Sequence, residues 1–170
     1  MPKIFRLALF VLLLFSAGAR AATIEDAFSP RQEGATDLIV KTISEAHQSV
    51  CGAAYYFTSY PIAKALVEAR QRGIEVKLVM DGHQKHRQVI EYLERNGVST
   101  RTNNRYAIMH DKFMIIDEQT WETGSFNFTR AAEYENAENV LAVRGSPAVI
   151  AGYARPWNRL WDEASAAIGG

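Results

Sequence analysis

Apolar residues recur along the chain with two alternating periods, which predicts alternating strands and helices. A period of two is typical of strands, and apolar positions three and four residues apart are typical of helices. Pro61 stands where proline is favoured, in the first turn of a helix, and Gly73 follows that helix at its end. We expect strands at 23–28, 50–57, 74–80, 98–101, 112–117, 120–123 and 139–144, and helices at 36–46, 61–72, 85–95 and 147–167.

The order of these elements predicts one α/β domain. Two consecutive strand–helix units between residues 50 and 95 indicate parallel pairing within a sheet. The first strand is short enough to be an edge strand, and the strand at 120–123 is expected to form a hairpin with its predecessor. In the last helix, aromatic and aliphatic residues at helical spacing predict core packing rather than a ligand site. These residues are Tyr153, Trp157, Leu160 and Trp161.

The N-terminal segment predicts an export signal that is not part of this domain. Lys3 and Arg6 precede nine apolar residues, whereas a membrane span needs about 20. The small residues that follow end in an Ala-x-Ala pattern, so we expect cleavage after Ala21, with a leader at 1–21 and a mature domain at 22–170. The alternative is an uncleaved membrane anchor. Cleavage predicts a periplasmic or secreted protein without stable membrane association.

Charge and cysteine content narrow the class of protein further. Loss of the leader removes three basic and no acidic residues, which takes the formal charge from 0 to −3. This excludes the overall positive field of a passive nucleic-acid coat. The segment 70–112 nevertheless holds nine Lys and Arg against five Asp and Glu, a local excess suited to a phosphate-rich substrate. Cys51 is the only cysteine, which excludes an intrachain disulfide, and we expect it to be buried.

Two short patterns carry the candidate chemistry. An H-x-K-x-x-x-x-D pattern begins at His110 and ends at Asp117, and a G-S-x-N pattern begins at Gly124 after six further residues. Residues i and i+2 of a strand share a face, so His110 and Lys112 are expected to point the same way, about 7 Å apart at their Cα atoms. An imidazole and an ammonium can then surround one phosphate. Asp117 has the opposite parity, which predicts a structural role.

The second pattern supplies neutral donors for the same phosphate. Ser125 and Asn127 also differ by two positions and offer a hydroxyl and an amide, which can hold phosphate oxygens without adding charge. Gly124 would allow the backbone to approach closely.

Together these patterns resemble the phospholipase D superfamily, whose members cleave phosphodiesters in lipids or nucleic acids. The similarity covers roughly Ala35 to Trp161. It implies an α/β fold with a mixed, largely parallel β-sheet flanked by helices on both faces. Longer members carry two copies of the motif in one chain. Single-copy members form the site between two subunits, which the resemblance implies for this chain.

The motif supports a two-step displacement at phosphorus. A neutral His110 can attack and form a phosphohistidine, while Lys112 neutralises the equatorial oxygens. The leaving alkoxide needs a proton that the attacking imidazole cannot supply from the opposite side, so a second histidine is required. His47, His83 and His86 lie in no second H-x-K pattern. The resemblance therefore implies a homodimer in which His110 of the partner subunit acts as the general acid.

A carboxylate that fixes the imidazole tautomer would assist each histidine. Three acids, Glu133, Glu135 and Glu138, lie just before the last strand, and the resemblance places this role at Glu138. A solvated loop carboxylate is the alternative for Glu138. The mechanism requires no metal and no cofactor.

Several functions compete on the sequence alone. The small size, the single motif and the absence of a lipid-binding insertion resemble the compact bacterial endonucleases of the family, so we expect cleavage of DNA and possible activity on RNA. A phospholipase D-type lipid phosphodiesterase is the alternative enzyme. No aromatic-rich stacking platform or base-reading motif is evident, which predicts low sequence specificity.

Two alternatives lie outside this mechanism. One is metal-dependent hydrolysis, with His83 and His86 joined by Asp81 or Asp111, although these residues do not form a closed ligand set. The other is a catalytically inactive relative that keeps the fold and binds nucleic acid.

Overall fold

The computed structural model describes residues 21–30, 34–84 and 87–166, so the predicted leader lies outside the described residues except for Ala21. In the described chain no helix has both the length and the apolar character needed to cross a membrane.

The elements, in chain order, are β1 (Thr23–Ser29), α1 (Ala35–Ser44), β2 (Ser49–Ala54), α2 (Tyr60–Gln71), β3 (Glu75–Asp81), α3 (Gln88–Arg95), β4 (Ser99–Asn103), β5 (Lys112–Ile116), β6 (Thr120–Gly124), α4 (Arg130–Tyr134), β7 (Glu138–Arg144), α5 (Pro147–Glu163) and β8 (Ser165–Ala166).

One mixed sheet joins these strands in the order β1-β7-β6-β5-β2-β3-β4-β8. The strands β2, β3 and β4 run parallel and are connected by α2 and α3, as the two strand–helix units predict. The other pairings, which include β5 beside β2, are antiparallel. The predicted single α/β domain with a mixed sheet is therefore confirmed, and β1 lies at an edge as expected.

The prediction of a largely parallel sheet is wrong, because five of the seven pairings among the described strands are antiparallel. Parallel neighbours need a crossover of about a dozen residues or more. The three-residue connection 117–119 is too short for such a crossover, so β5 and β6 form the predicted antiparallel hairpin. The connection 125–137, which contains α4, is longer and joins β6 to its antiparallel neighbour β7.

Helices cover both faces of the sheet, as predicted. One face packs against α1, α2 and α3, and the other packs against α5. The strand β3 contributes to both cores, since Val76, Leu78 and Met80 belong to the first cluster and Val79 to the second. Burial on two faces explains why this strand is apolar almost throughout.

The aromatic residues of α5 form core, which confirms the prediction for them. Trp157 and Leu160 are buried, and Tyr153 and Trp161 are partly buried against the same cluster. The Trp157 indole N–H donates a 3.0 Å hydrogen bond to a carbonyl of β2. Cys51 is half-buried beside this cluster rather than fully buried, and burial raises the pKa of its thiol to about 11.

Two short elements have no clear signal in the sequence. The helix α4 has five residues, which is too short to show a period, and its N-terminus is capped by Thr129, whose side chain accepts a 3.1 Å hydrogen bond from Ala132 N. The strand β8 has two residues and pairs with β4 in place of the last turns of the predicted helix 147–167.

Candidate active site

Most of the predicted site residues lie at one end of the sheet, where the strands β2 and β6 end and β5 and β7 begin. Lys112, the first residue of β5, lies opposite Ala54 at the end of β2. Gly124 ends β6, and Glu138 begins β7. In antiparallel neighbours the end of one strand lies beside the start of the next. Ser125 and Asn139, which are 14 positions apart in the chain, therefore meet at this end of the sheet.

His110 and Lys112 contact each other as their spacing predicts. The Lys112 ammonium Nζ lies 3.4 Å from His110 Nδ1 and donates a 2.8 Å hydrogen bond to the His110 carbonyl oxygen. His110 is exposed, whereas Lys112 is 9% exposed. The strand begins only at Lys112, so an exposed imidazole projects from the loop just before a buried ammonium.

Burial perturbs the Lys112 ammonium. Loss of hydration lowers the pKa of Lys112, while the negative charges of Asp111 and Glu138 oppose this shift. A partly dehydrated cation attracts an anion more strongly than a fully solvated one. The position of Lys112 thus suits a phosphate group that approaches from the His110 side.

The loop that carries His110 is held by a buried carboxylate that the sequence analysis did not assign to the site. Asp81, the last residue of β3, is 1% exposed. Its Oδ2 accepts a 2.6 Å hydrogen bond from Met109 N, and its Oδ1 accepts a 2.8 Å bond from His83 N. Asp81 fixes the backbone one residue before His110, so we describe it as a positioning residue.

Ser125 and Glu138 are joined directly. Ser125 Oγ donates a 2.6 Å hydrogen bond to Glu138 Oε2, and Asn136 Nδ2 donates a 2.9 Å bond to Glu138 Oε1. Ser125 is held further by Asn139, whose Oδ1 accepts from Ser125 N at 2.9 Å. Within the part of the chain that the structure describes, these bonds occupy Glu138, and none joins its carboxylate to an imidazole.

Gly124 is required by the packing of β7 rather than by a turn. A Cβ atom at this position would collide with the carbonyl oxygen of Asn139. The close approach predicted for Gly124 is therefore an approach between two protein backbones. It keeps Ser125 within hydrogen-bonding distance of Asn139 and Glu138.

Asn127 has an unsatisfied polar atom. Its Oδ1 is buried and has no hydrogen-bond partner among the described residues. Buried polar atoms in native structures nearly always have a partner, and an exception calls for a ligand, an ion or a water. Asn127 Oδ1 can therefore accept a hydrogen bond that the described protein atoms do not supply.

Tyr55 is a further member of the site that the sequence analysis missed. Its ring centroid lies 4.4 Å from that of His110, and Lys112 Nζ lies 5.3 Å from the Tyr55 ring. Tyr55 follows directly after β2. Its position one residue beyond a buried parallel strand is a general signal for site residues, because ligands bind outside the carboxyl ends of such strands.

Asp117 lies at the opposite end of the strands, away from these residues. Its carboxylate accepts hydrogen bonds of 2.7 to 2.8 Å from the backbone amides of His47, Gln48 and Ser49. Partial burial acts to raise the pKa of Asp117, but the three amide bonds outweigh it and hold the pKa below its ordinary value. Asp117 fixes the turn between α1 and β2.

The neighbouring acid Glu133 also has a different position from Glu138. Glu133 Oε2 accepts hydrogen bonds from Thr36 N at 3.0 Å and Thr36 Oγ1 at 2.6 Å, which caps the start of α1. Glu135 is exposed. Of the three candidate acids, Glu138 is the one that contacts Ser125.

The alternative metal site is not assembled in the described residues. His83 Nδ1 lies 3.1 Å from Asp81 Oδ1, and His86 lies outside the described residues. Across residues 21–30, 34–84 and 87–166, no group of three or more His, Cys, Asp or Glu side chains is close enough to hold a metal ion. Both carboxylate oxygens of Asp81 are engaged by backbone amides.

Comparison with known proteins defines the class of this protein. The family described as "Cardiolipin synthase, PLD-like domain" matches residues 39–161, which is most of the chain and includes both motifs. The chain belongs to this phospholipase D-like family, whose members act as phosphodiesterases.

Individual relatives support this assignment. Nuc from Salmonella typhimurium, a phospholipase D family member, superimposes with a TM-score of 0.83 at 35% identity, over 88% of this chain and 100% of the Nuc chain. The "Phospholipase D" of Rickettsia bellii is 36% identical over 71% of this chain and 60% of its own length. The "Mitochondrial cardiolipin hydrolase" of Chlamydomonas reinhardtii is 34% identical over 64% of this chain and 49% of its own length. The chain thus spans about half to 60% of the length of these two curated relatives.

Proposed function

We propose that this protein is a metal-independent phosphodiesterase and, more specifically, an endonuclease of low sequence specificity that cleaves DNA and can accept RNA. One observation carries the proposal: the exposed His110 imidazole lies 3.4 Å from the buried Lys112 ammonium. A nucleophile beside a dehydrated cation is what a displacement at an anionic phosphodiester requires.

In the first step, His110 Nε2 attacks phosphorus, a P–N bond forms, and the P–O bond to the leaving group breaks. Lys112, which already contacts His110 through Nδ1, neutralises charge on the equatorial oxygens. Asn127 would donate to the same oxygens through its Nδ2, and Ser125 would do so by turning its hydroxyl from Glu138 to the phosphate. The leaving alkoxide takes a proton from a second imidazolium.

In the second step, water attacks the phosphohistidine and the P–N bond breaks. The second imidazole, now neutral, accepts the proton from water and returns to its starting form. Each residue therefore ends the cycle as it began, and a phosphate monoester and an alcohol are released. The chemistry requires no metal and no cofactor.

The second imidazole is proposed to be His110 of the partner subunit in a homodimer. His47 lies beside Asp117 at the opposite end of the strands and cannot reach the same phosphate. His83 lies after β3 and contacts Asp81. A twofold axis near His110 would bring two copies of the site together. In such a dimer Glu138 would orient an imidazole across the interface.

A nucleic-acid substrate is favoured over a lipid by the similarity to Nuc, which has a TM-score of 0.83 and 35% identity and supports endonuclease activity. The lipid phosphodiesterase is the second candidate, because relatives carry the names phospholipase D and cardiolipin hydrolase.

Plasmid nicking tests the enzymatic proposal. Purified wild type is expected to nick supercoiled DNA in excess chelator, and His110→Ala is expected to lose activity by more than about 10³-fold, as loss of a nucleophile does. Wild type that binds DNA without nicking it would indicate the inactive binding module. Activity abolished by chelator would contradict the mechanism, and cleavage of phosphatidylglycerol vesicles but not DNA would support the lipid enzyme.

Mixed dimers test the origin of the general acid. A heterodimer of wild type and His110→Ala is expected to be inactive if both histidines serve one site, and His83→Ala is expected to keep wild-type activity. Half activity in the heterodimer together with loss in His83→Ala would place the acid within one chain. Acid quenching is expected to trap phosphate on His110 of the wild type.

We also propose that the leader directs export to the periplasm or the medium, by analogy with signal peptides of this composition. Mass spectrometry of the exported protein is expected to show an N-terminus at Ala22. Retention of Met1 in a membrane fraction would indicate the anchor instead.

A further inference from the structure

A cleft of about 390 Å³ opens beside the candidate active site, on the face of the sheet that α1 and α2 cover. This volume is in the range of sites that hold one small ligand. The first turns of α1, α2 and α4 surround the cleft. Its lining includes Asp37, Thr58, Tyr60, Thr129, Arg130 and Tyr134.

Two segments that line the cleft follow residues of the site closely in the chain. Thr129 lies two positions after Asn127, and Thr58 lies three positions after Tyr55. The two segments are joined, because Thr58 N donates a 2.8 Å hydrogen bond to the Phe128 carbonyl. Two or three residues of extended chain span about 7 to 10 Å. Thr58 therefore lies within about 10 Å of Tyr55, which contacts His110, and we infer that a group attached to a phosphate at His110 extends to the cleft.

The lining of the cleft has the chemistry of a stacking site. Tyr60 is 55% exposed and Tyr134 is 42% exposed, although both are large aromatic side chains. The Arg130 guanidinium lies 4.7 Å from the Tyr134 ring. Aromatic faces and a guanidinium are the groups that bind unpaired bases and the adjoining phosphates. Tyr60 is far from Arg130 and Tyr134 in the sequence, so the sequence alone shows no stacking platform.

The acids of the cleft favour a nucleobase over an acyl chain. Glu133 is engaged by Thr36, but Asp37 is exposed and can accept a hydrogen bond from a base amino group. Thr58, Ser59, Thr129 and Arg130 also line the cleft. An acyl chain would leave these polar groups dehydrated and without partners.

We propose that this cleft binds the unpaired nucleotide next to the scissile phosphate, with its base against Tyr60 and its far phosphate at Arg130. The inference depends on the proposed nuclease function. It adds a preference for single-stranded or locally opened nucleic acid, because a paired base cannot enter the cleft. Stacking does not distinguish the bases, which agrees with low sequence specificity.

Two substrates separate this inference from the function on which it depends. Bis(4-nitrophenyl) phosphate carries the phosphodiester without a flanking nucleotide, and a single-stranded oligonucleotide carries both. Tyr60→Ala and Arg130→Ala are each expected to lower kcat/KM for the oligonucleotide roughly tenfold, mainly through KM, as loss of one stacked base does. Hydrolysis of the small substrate is expected to stay at the wild-type rate.

Matched variants serve as controls. Tyr60→Phe keeps the ring and is expected to retain oligonucleotide cleavage. Arg95→Ala removes an exposed arginine at the end of α3, at the opposite end of the strands. It is expected to leave hydrolysis of both substrates unchanged. Equal losses on both substrates, or no loss on either, would overturn the inference. A loss confined to phosphatidylglycerol vesicles would assign the cleft to lipid, and a wild type inactive on both phosphodiesters would instead refute the proposed function.

Discussion

Glu122 is a buried carboxyl group in the middle of β6, and its ionisation should control stability. Its cross-strand neighbours are Met114 and Ala142, which belong to the core under α1 and α2. Glu122 is 2% exposed, and its Oε2 has no hydrogen-bond partner among the described residues. Because burial removes hydration from the charged form without replacement, it raises the pKa of Glu122 from 4.5 to about 8.

The pH dependence follows from this difference. Between pH 4.5 and about 8, the folded protein keeps a proton on Glu122 that the unfolded chain has released. The favourable neutral state contributes fully below the unfolded pKa, and stability falls as pH rises through this interval. At about 1.4 kcal/mol per pH unit, an interval of about 3.5 units corresponds to on the order of 5 kcal/mol. A typical domain has about 5–15 kcal/mol of stability in total.

Glu122→Gln tests this, because glutamine has nearly the same shape and cannot ionise. Urea unfolding at one fixed protein concentration is expected to give similar free energies for variant and wild type near pH 5, and a variant more stable by several kcal/mol near pH 8.5. Glu68→Gln, on the exposed side of α2, is the matched control and should show no such trend. A difference between Glu122→Gln and wild type that is the same at both pH values would refute the reasoning.

Three other substitutions test the geometry around the site. Gly124→Ala should lower the free energy of unfolding by about 1–3 kcal/mol, since its methyl group collides with Asn139, and an unchanged urea midpoint would contradict this. Asp117→Asn should cost about 1–3 kcal/mol at neutral pH, and the cost should vanish as pH falls through the lowered folded pKa of Asp117; a cost that persists in strong acid would argue against the amide bonds as its source. Asp81→Asn should lower kcat roughly 10- to 100-fold by releasing Met109, with a smaller effect on KM, and wild-type kcat in a folded variant would refute the positioning role.

The local pattern was a reliable guide where the chain buries its residues regularly. The nearly continuous apolar run of Val76, Leu78, Val79 and Met80 identifies β3 as a strand buried on both faces. Pro61 and Gly73 mark the two ends of α2. The helix α4 escaped prediction because five residues cannot show a helical period, and the orientation of β5 escaped it because periodicity carries no information about strand direction. Direction depends on how the connecting loop packs.

For the candidate site, the two-residue spacing of His110 and Lys112 was sufficient to predict their contact, since it depends on the local backbone alone. The spacing also placed Asp117 apart from them. By itself, then, the sequence determined the family, the α/β class and the candidate phosphate-binding residues, because each follows from a short motif or a local period. Tertiary structure alone decided that the Tyr55 ring contacts His110, that Asp81 holds the preceding loop and that Tyr60 and Arg130 line one cleft. These contacts join residues from different strands and helices, and only the packing of the whole sheet brings them together.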